Sequence, residues 1–434
     1  MANGNDNPYF YIAKTSKMVE MVGESSLGES PEMAWQAQFA YSVDIYSAEV
    51  WEVLRWGFNK LALAEEAFDR LRLFIRTQSY PNVPNGKKQP ASRTLALRCF
   101  KASGSSKISV TLLGKVYADS SPTVKEEADN YWHELTSAFP HDYPLHPICS
   151  KDEFEQAAGW PLITQSDRPD SFAEILRFEE SVSTGEEDFY LIGRWKFSRF
   201  GNELIWRVLN EAKNPLLYEV ILRPTILKIS ELTILSEWVK QVQRIKRKAE
   251  YFQSMRIKQD EDLFKAEYFG QKPEMHQDRP PEKEGEIPLV KPFAIFASEN
   301  LADQLENIHQ PYVVQIRLIS PFGLPEYVPR VVGSTMVHEE QQEPVTPGFQ
   351  IEKPADLKQA ECWRAQSLWL EPDLSPGRII RNKQFARLRK LVGLNDAQSL
   401  FRVPYPPAKG LPGVAFETKT EEIDFLENYT TRSD

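Results

Sequence analysis

The sequence predicts an α+β protein in which antiparallel sheets are covered by helices. Three observations lead there. From Trp35 to Ile45 the apolar residues Trp35, Ala37, Phe39, Tyr41, Val43 and Ile45 fall on every second position, the period of a strand with one buried face. Over 48–76 the period becomes helical, with Val50, Leu54, Phe58, Leu61, Phe68, Leu71 and Ile75 on one broad face. A hairpin pattern then follows: Leu95, Leu97 and Cys99, a turn at Ser103-Gly104-Ser105-Ser106, and Ile108, Val110 and Leu112.

Pro122 next opens a helix, 122–138, carrying Ala128, Tyr131, Trp132, Leu135 and Ala138, and YPLHPI (143–148) is extended. Strand, helix, strand, strand, helix, strand is the order of a split βαβ, ferredoxin-like unit, expected over 34–150. Residues 1–33 are polar and irregular and are expected to form a flexible arm. The same vocabulary returns over 151–337, expected as a second, related α+β unit. It has a helix near 151–159, strands 172–181 and 188–197 about a turn at Ser183-Thr184-Gly185, and a helix 201–212. The apolar strand LLYEVIL (216–222), one long helix 229–268, a helix 298–308, the strand YVVQIRLI (312–319) and a helix 324–337 complete it. Residues 270–288 are charged and proline-rich, the composition of a mobile linker, and 338–348 resemble them. Residues 349–434 are expected as a small C-terminal helical and extended module, with Trp363 and Trp369 in a strand or turn and 418–434 frayed.

A chain of 434 residues with 41% apolar residues can bury more than one core, and its formal charge of −10 argues against a generic nucleic-acid coat. Cys99, Cys149 and Cys362 are far apart and odd in number, which favours reduced thiols over a disulfide framework or a zinc site. The N-terminus MANGNDNPYF has neither a basic nor an apolar signal region, and no apolar run reaches membrane-spanning length. The expected location is therefore cytoplasmic, or peripheral to an inner membrane.

Catalytic motifs are scarce. Gly23-Glu24-Ser25-Ser26-Leu27-Gly28-Glu29-Ser30 has the glycine spacing of a phosphate loop, but Glu29 stands where that loop needs a lysine and would repel the phosphates. His141 and His146 lie in a proline-containing extended segment without acidic neighbours at ligand spacing, so a surface or loop role is expected. Glu179-Glu180 and Glu186-Glu187 flank a hairpin turn, as solvated charges do. No catalytic residue, metal site or cofactor is expected.

Two segments invite a functional reading. On helix 229–268, Leu232, Leu235, Val239, Val242, Ile245, Ala249, Phe252 and Met255 form a seam, and Lys240, Arg244, Lys246, Arg247 and Lys248 form a basic face beside it. Such a face is commonly just solvated; the functional alternative is contact with nucleic-acid phosphates or an anionic surface. The second segment runs from Arg378 to Phe416: an amphipathic helix, a break at Gly393-Leu394-Asn395, a short helix capped by Asn395 and Asp396 and stopped by Pro404, then a proline-glycine run.

DAQSLFRVP followed by YPPAKGLPGVAF resembles the junction just before the motor domain in bacterial ATPases of the HerA/FtsK superfamily, of which the conjugation-type (type IV secretion) coupling ATPases are members. Pro311–Met336 is similar to the last strand and helix of their non-motor region. The resemblance implies an α+β region that precedes a hexameric RecA-like motor. In this sequence no phosphate loop is found and the chain ends soon after the junction, at Asp434. The expectation is a non-catalytic assembly or adaptor subunit, oligomeric, acting with a separately encoded motor ATPase in DNA or protein translocation or phage defence. Leu400, Phe401, Pro404, Leu411 and Pro412 are its expected partner-binding residues. The alternative is a DNA-binding accessory module using the basic face.

Overall fold

The computed structural model describes residues 7–16, 33–46, 60–79, 93–183, 188–193, 195, 203–227, 231–240, 243–244, 247, 310–336, 348–373, 388–405 and 413–420. Within them one antiparallel sheet of ten strands runs through nearly the whole sequence. Its strands are β1 (Tyr11–Ser16), β2 (Met33–Val43), β3 (Arg93–Lys101), β4 (Ser109–Ala118), β5 (Leu145–Pro147), β6 (Phe172–Arg177), β9 (Leu216–Pro224), β10 (Tyr312–Ile319), β11 (Phe349–Glu352) and β12 (Leu391–Val392). The order is β1-β2-β4-β3-β9-β10-β6-β11, with β5 on β2 and β12 on β10. β7 (Glu179–Ser183) and β8 (Asp188–Ile192) form a separate hairpin.

The two expected units are thus halves of one sheet. The pairing order β5–β2–β4–β3 is that of a split βαβ, but it does not close into a unit of its own. The free edge of β3 is taken along its length by β9, from Leu95↔Leu222 to Lys101↔Leu216. The expected arm also contributes: β1 pairs with β2 from Tyr11↔Gln38 to Ser16↔Met33, and the Tyr11 ring packs on Phe154 and Trp160. The expected C-terminal module is likewise absorbed, with β11 on β6 and β12 beside β6 on the same edge of β10.

Strand alternation sorts the sheet into two unlike faces. One face is predominantly apolar: Phe39 and Tyr41 of β2, Leu95, Leu97 and Cys99 of β3, Leu112 of β4, Tyr218 and Val220 of β9, Val314, Ile316 and Leu318 of β10. Five helices cover it: α1 (Lys60–Thr77), α2 (Ser121–Ala138), α5 (Glu203–Glu211), α6 (Tyr327–Met336) and α8 (Leu394–Leu400). Helix α2 shows how the sequence does this. Ser120 caps its first turn, Pro122 occupies the first turn where no N–H is needed, and Val124, Ala128, Tyr131 and Leu135 recur at helical spacing on the buried side. At Gly114 a side chain would enter the Phe39 ring, so glycine is what lets the helix-facing aromatic lie flat on the sheet.

The opposite face is covered by α3 (Lys151–Ala157), α4 (Trp160–Thr164) and α7 (Leu357–Leu368), and it is banded. One apolar band holds Ala40, Leu113, Ala96 and Ile221; another holds Phe100, Leu217, Ile319 and Phe172. Between them lies a row of buried charges. Of the expected long helix, residues 231–240 are helical, with Leu235 and Val239 of the seam buried and Leu232 exposed; Val242, Ile245, Ala249, Phe252 and Met255, and helix 298–308, fall outside the described residues. The linker 270–288 is also outside them.

Candidate functional site

The charged row crosses four adjacent strands, β3, β9, β10 and β6, at one level. Arg98 of β3 faces Glu219 of β9, Glu219 faces Arg317 of β10, and Arg317 faces Glu174 of β6. The signs alternate along the row, and all four residues are at most 1% exposed. Arg98 Nε donates to Glu219 at 2.8 Å, and Arg317 Nη2 lies 3.5 Å from Glu174. An uncompensated charge at any of these positions would cost about 3–5 kcal/mol, which is why each sits against an opposite one.

The row also grips α7. Arg317 lies over the Trp363 ring at 4.5 Å and donates to Trp363 O at 3.0 Å and to Gln366 Oε1 at 2.6 Å. Arg98 donates to Ser367 O, Gln38 Nε2 to Leu368 O at 3.2 Å, and Lys115 to Trp369 O. Four side chains of the sheet therefore satisfy carbonyls in the last turns of α7, three of them cations where the helix dipole is negative. The helix ends in a Schellman-type turn, Glu371 N to Gln366 O at 2.8 Å, which holds buried Leu370 at φ 50, a left-handed conformation costly for a branched side chain. The turn puts Glu371 against Lys115 and 3.6 Å from Arg223. Burial still pulls the Lys115 ammonium down to about 8, with Glu371 opposing the shift.

The C-terminal segment enters through the same row. Lys390 Nζ lies 2.6 Å from Glu174, and Arg389 lies 2.7 Å from Glu352 and 3.7 Å from Glu179. Arg177 donates to the carbonyls of Arg389 and Leu391. Glu179 is thus not the solvated turn charge expected from its neighbours; it is 2% exposed. Residues 388–390 form a 3-10 turn and 391–392 the strand β12, where helix was expected to continue. The chain then turns into α8 from Gly393, which stands at the N-cap without a side-chain bond; Asn395 and Asp396 lie inside the first turn rather than capping it. α8 packs on α1, and Phe401, Val403 and Pro404 follow in the core.

The expected partner-binding residues are therefore placed as follows. Leu400 is 1% and Phe401 0% exposed, both within the apolar face's core, and Pro404 is buried. Their side chains are spent inside this chain and offer no surface to a partner. Leu411 and Pro412 lie outside the described residues. Lys240, Arg244 and Arg247 are exposed, while the side chains of Lys246 and Lys248 lie outside the described residues.

Beyond Tyr405 the chain is described again at 413–420, where it forms a strap across the end of the sheet. Ile108 N donates to Ala415 O and Glu417 N to Ile108 O, at 2.8 and 2.9 Å, giving a parallel bridge of Ile108 with Phe416. Phe416 meets Trp206 edge-on, and Asn210 Nδ2 donates to Gly413 O at 2.6 Å. Asp44, 0% exposed, accepts from the amides of Lys419 and Thr420 at 2.8 and 2.9 Å and sits 2.7 Å from His146 Nε2. Burial raises the Asp44 carboxyl, but the hydrogen bonds from His146 and the two amides outweigh it and hold the group below its ordinary value. The expected fraying of 418–434 thus does not extend to 418–420, and the acidic neighbour missing around His146 in sequence arrives from 102 residues away.

Arg98, Glu219, Arg317, Glu174 and Asp44 were not singled out by sequence reasoning. The available signal was a charged residue inside each of four largely apolar strands. Among the described residues no cluster of three or more His, Cys, Asp or Glu side chains is arranged to hold a metal ion, and no helix is long and apolar enough to cross a membrane. No protein-family model matches the chain, and no curated protein matches it.

Because Leu400 fills the core, Leu400→Ala is expected to lower the free energy of unfolding by about 2–5 kcal/mol in urea denaturation. Unchanged stability in that variant would contradict the core assignment.

Proposed function

We propose that this chain is an assembly or adaptor module that works with a motor ATPase of the HerA/FtsK type, holding the motor's entry segment in a fixed place. The observation that supports the reading most is the anchoring of the segment carrying the resemblance. Lys390 and Arg389 tie its start to buried carboxylates of the sheet, α8 and Phe401 fill the core, and 413–420 is strapped to the sheet end. A segment that positions a separately encoded motor needs a fixed root, and this one is rooted by buried side chains up to Pro404. The resemblance of Pro311–Met336 is consistent with the same reading, since that strand and helix lie beside the junction: β10 pairs with β12 and contacts α8.

The partner surface in this reading is not Leu400, Phe401 or Pro404, which are buried. Purified chain mixed with the candidate motor ATPase, with and without nucleotide, is expected to co-elute in size-exclusion chromatography as an oligomeric complex. Separate elution under both conditions would remove the proposal's support.

A second reading is favoured by one observation: Lys240, Arg244 and Arg247 are each exposed and each in helical conformation. In this reading the face contacts nucleic-acid phosphates. Binding to duplex DNA would weaken steeply with salt, by about one unit of log–log slope per phosphate neutralised. Charge reversal at the three residues would abolish it. A retention of binding after reversal, or no binding at low salt, would eliminate this reading.

A further inference from the structure

We infer that residues 413–420 are a detachable strap with Asp44 as its latch, so that the junction exists in a docked and an undocked form. The inference extends the assembly reading, but it is tested on this chain alone, so its failure leaves the co-elution test standing.

The attachment changes character along the chain. Up to Val403 and Pro404 the segment is fixed by buried side chains. In 413–420 every residue is exposed or half-buried. Only Val414 and Phe416 lean on the core, and they do so partly exposed. What remains is a short set of polar bonds: the backbone pair with Ile108, the Asn210 amide on Gly413, the Ser109 hydroxyl on Glu417, and the two amides on Asp44. Such bonds exchange readily for water, whereas the packing at Phe401 does not.

Asp44 is where the docking is concentrated. Its carboxylate is fully buried with the strap in place, and two of the donors that satisfy it come from the strap. His146 supplies the third and also contacts the Thr420 hydroxyl at 3.0 Å, so it stands between latch and strap. Removing either the charge or the two N–H donors removes the strap's hydrogen bonds to a buried ionised acceptor. Within the strap Gly413 has φ +78, a left-handed conformation suited to glycine. The strap's named polar bonds run to Asp44, Ile108, Ser109, Asn210 and His146, outside α8, so breaking them leaves the packing of α8 in place.

Hydrogen–deuterium exchange of the full chain, read on peptides covering 413–420 and on peptides from β3 and β9, tests this. Wild-type protein is expected to exchange faster at 413–420 than in β3 and β9. Asp44→Asn is expected to accelerate exchange at 413–420 by about tenfold or more, leaving β3 and β9 at wild-type rates. Lys419→Pro removes one donor from the strap side without touching the body, and is expected to do the same. The inference is overturned if 413–420 is as protected as β3 in the wild type. It is also overturned if both variants leave its exchange unchanged, or if Lys419→Pro raises exchange across the whole sheet.

Discussion

The alternation of charge along Arg98, Glu219, Arg317 and Glu174 is the constraint on which the remaining structure depends. Apolar alternation tells a strand which face to bury, but a slip of two residues preserves every such assignment. Across β3 and β9 that slip would bring Arg98 opposite Leu217 or Ile221 instead of Glu219. The same holds across β9 with β10, and β10 with β6. The row therefore discriminates registers that hydrophobicity leaves equivalent, and it does so at the place where the two halves of the sequence join. Buried ion pairs contribute little net stability compared with apolar packing of similar volume, yet breaking one is costly. Fixing the register is a use that fits both facts.

The same charges organise the layer above the sheet. The last turns of α7 are held by Arg98, Arg317, Lys115 and Gln38, and the entry of the C-terminal segment is held by Glu174, Glu352 and Arg177. Elements more than 200 residues apart in sequence thus share one electrostatic framework. That gives the junction region a rigid base up to Pro404 and leaves 413–420 resting on the rim by polar contacts. A body with a firm root and a lightly held strap suits a module that must position something else.

Much of the strand and helix content could be read from the sequence, because local periodicity carries it. β10 spans Tyr312–Ile319 as its apolar run suggested, and Pro122 marked the start of α2 to within one residue. What escaped was everything set by distant pairing. β1 is short and polar, and it becomes a strand only because β2 offers an edge to it. The two halves looked like separate units because nothing local announces that β3 and β9 will pair. LLYEVIL reads as an apolar strand, and the single Glu219 within it gains meaning only beside Arg98. The proline-glycine flavour of the C-terminal run suggested a junction whose apolar residues serve a partner. Yet Leu400 and Phe401 are as apolar as any core residues, and burial is where they are most stable. His146 lacked a carboxylate in its neighbourhood of sequence and found one in Asp44 through the pairing of β5 with β2.

The most direct test of this account is a double-mutant cycle across Lys390 and Glu174, using Lys390→Met, Glu174→Gln and the pair, with stability measured by denaturant unfolding. If the C-terminal segment is rooted in the charged row, the two changes will couple by about 1–3 kcal/mol. Additivity to within about 0.5 kcal/mol would mean that the segment is held by apolar packing alone, and the row would lose its place at the centre of the structure.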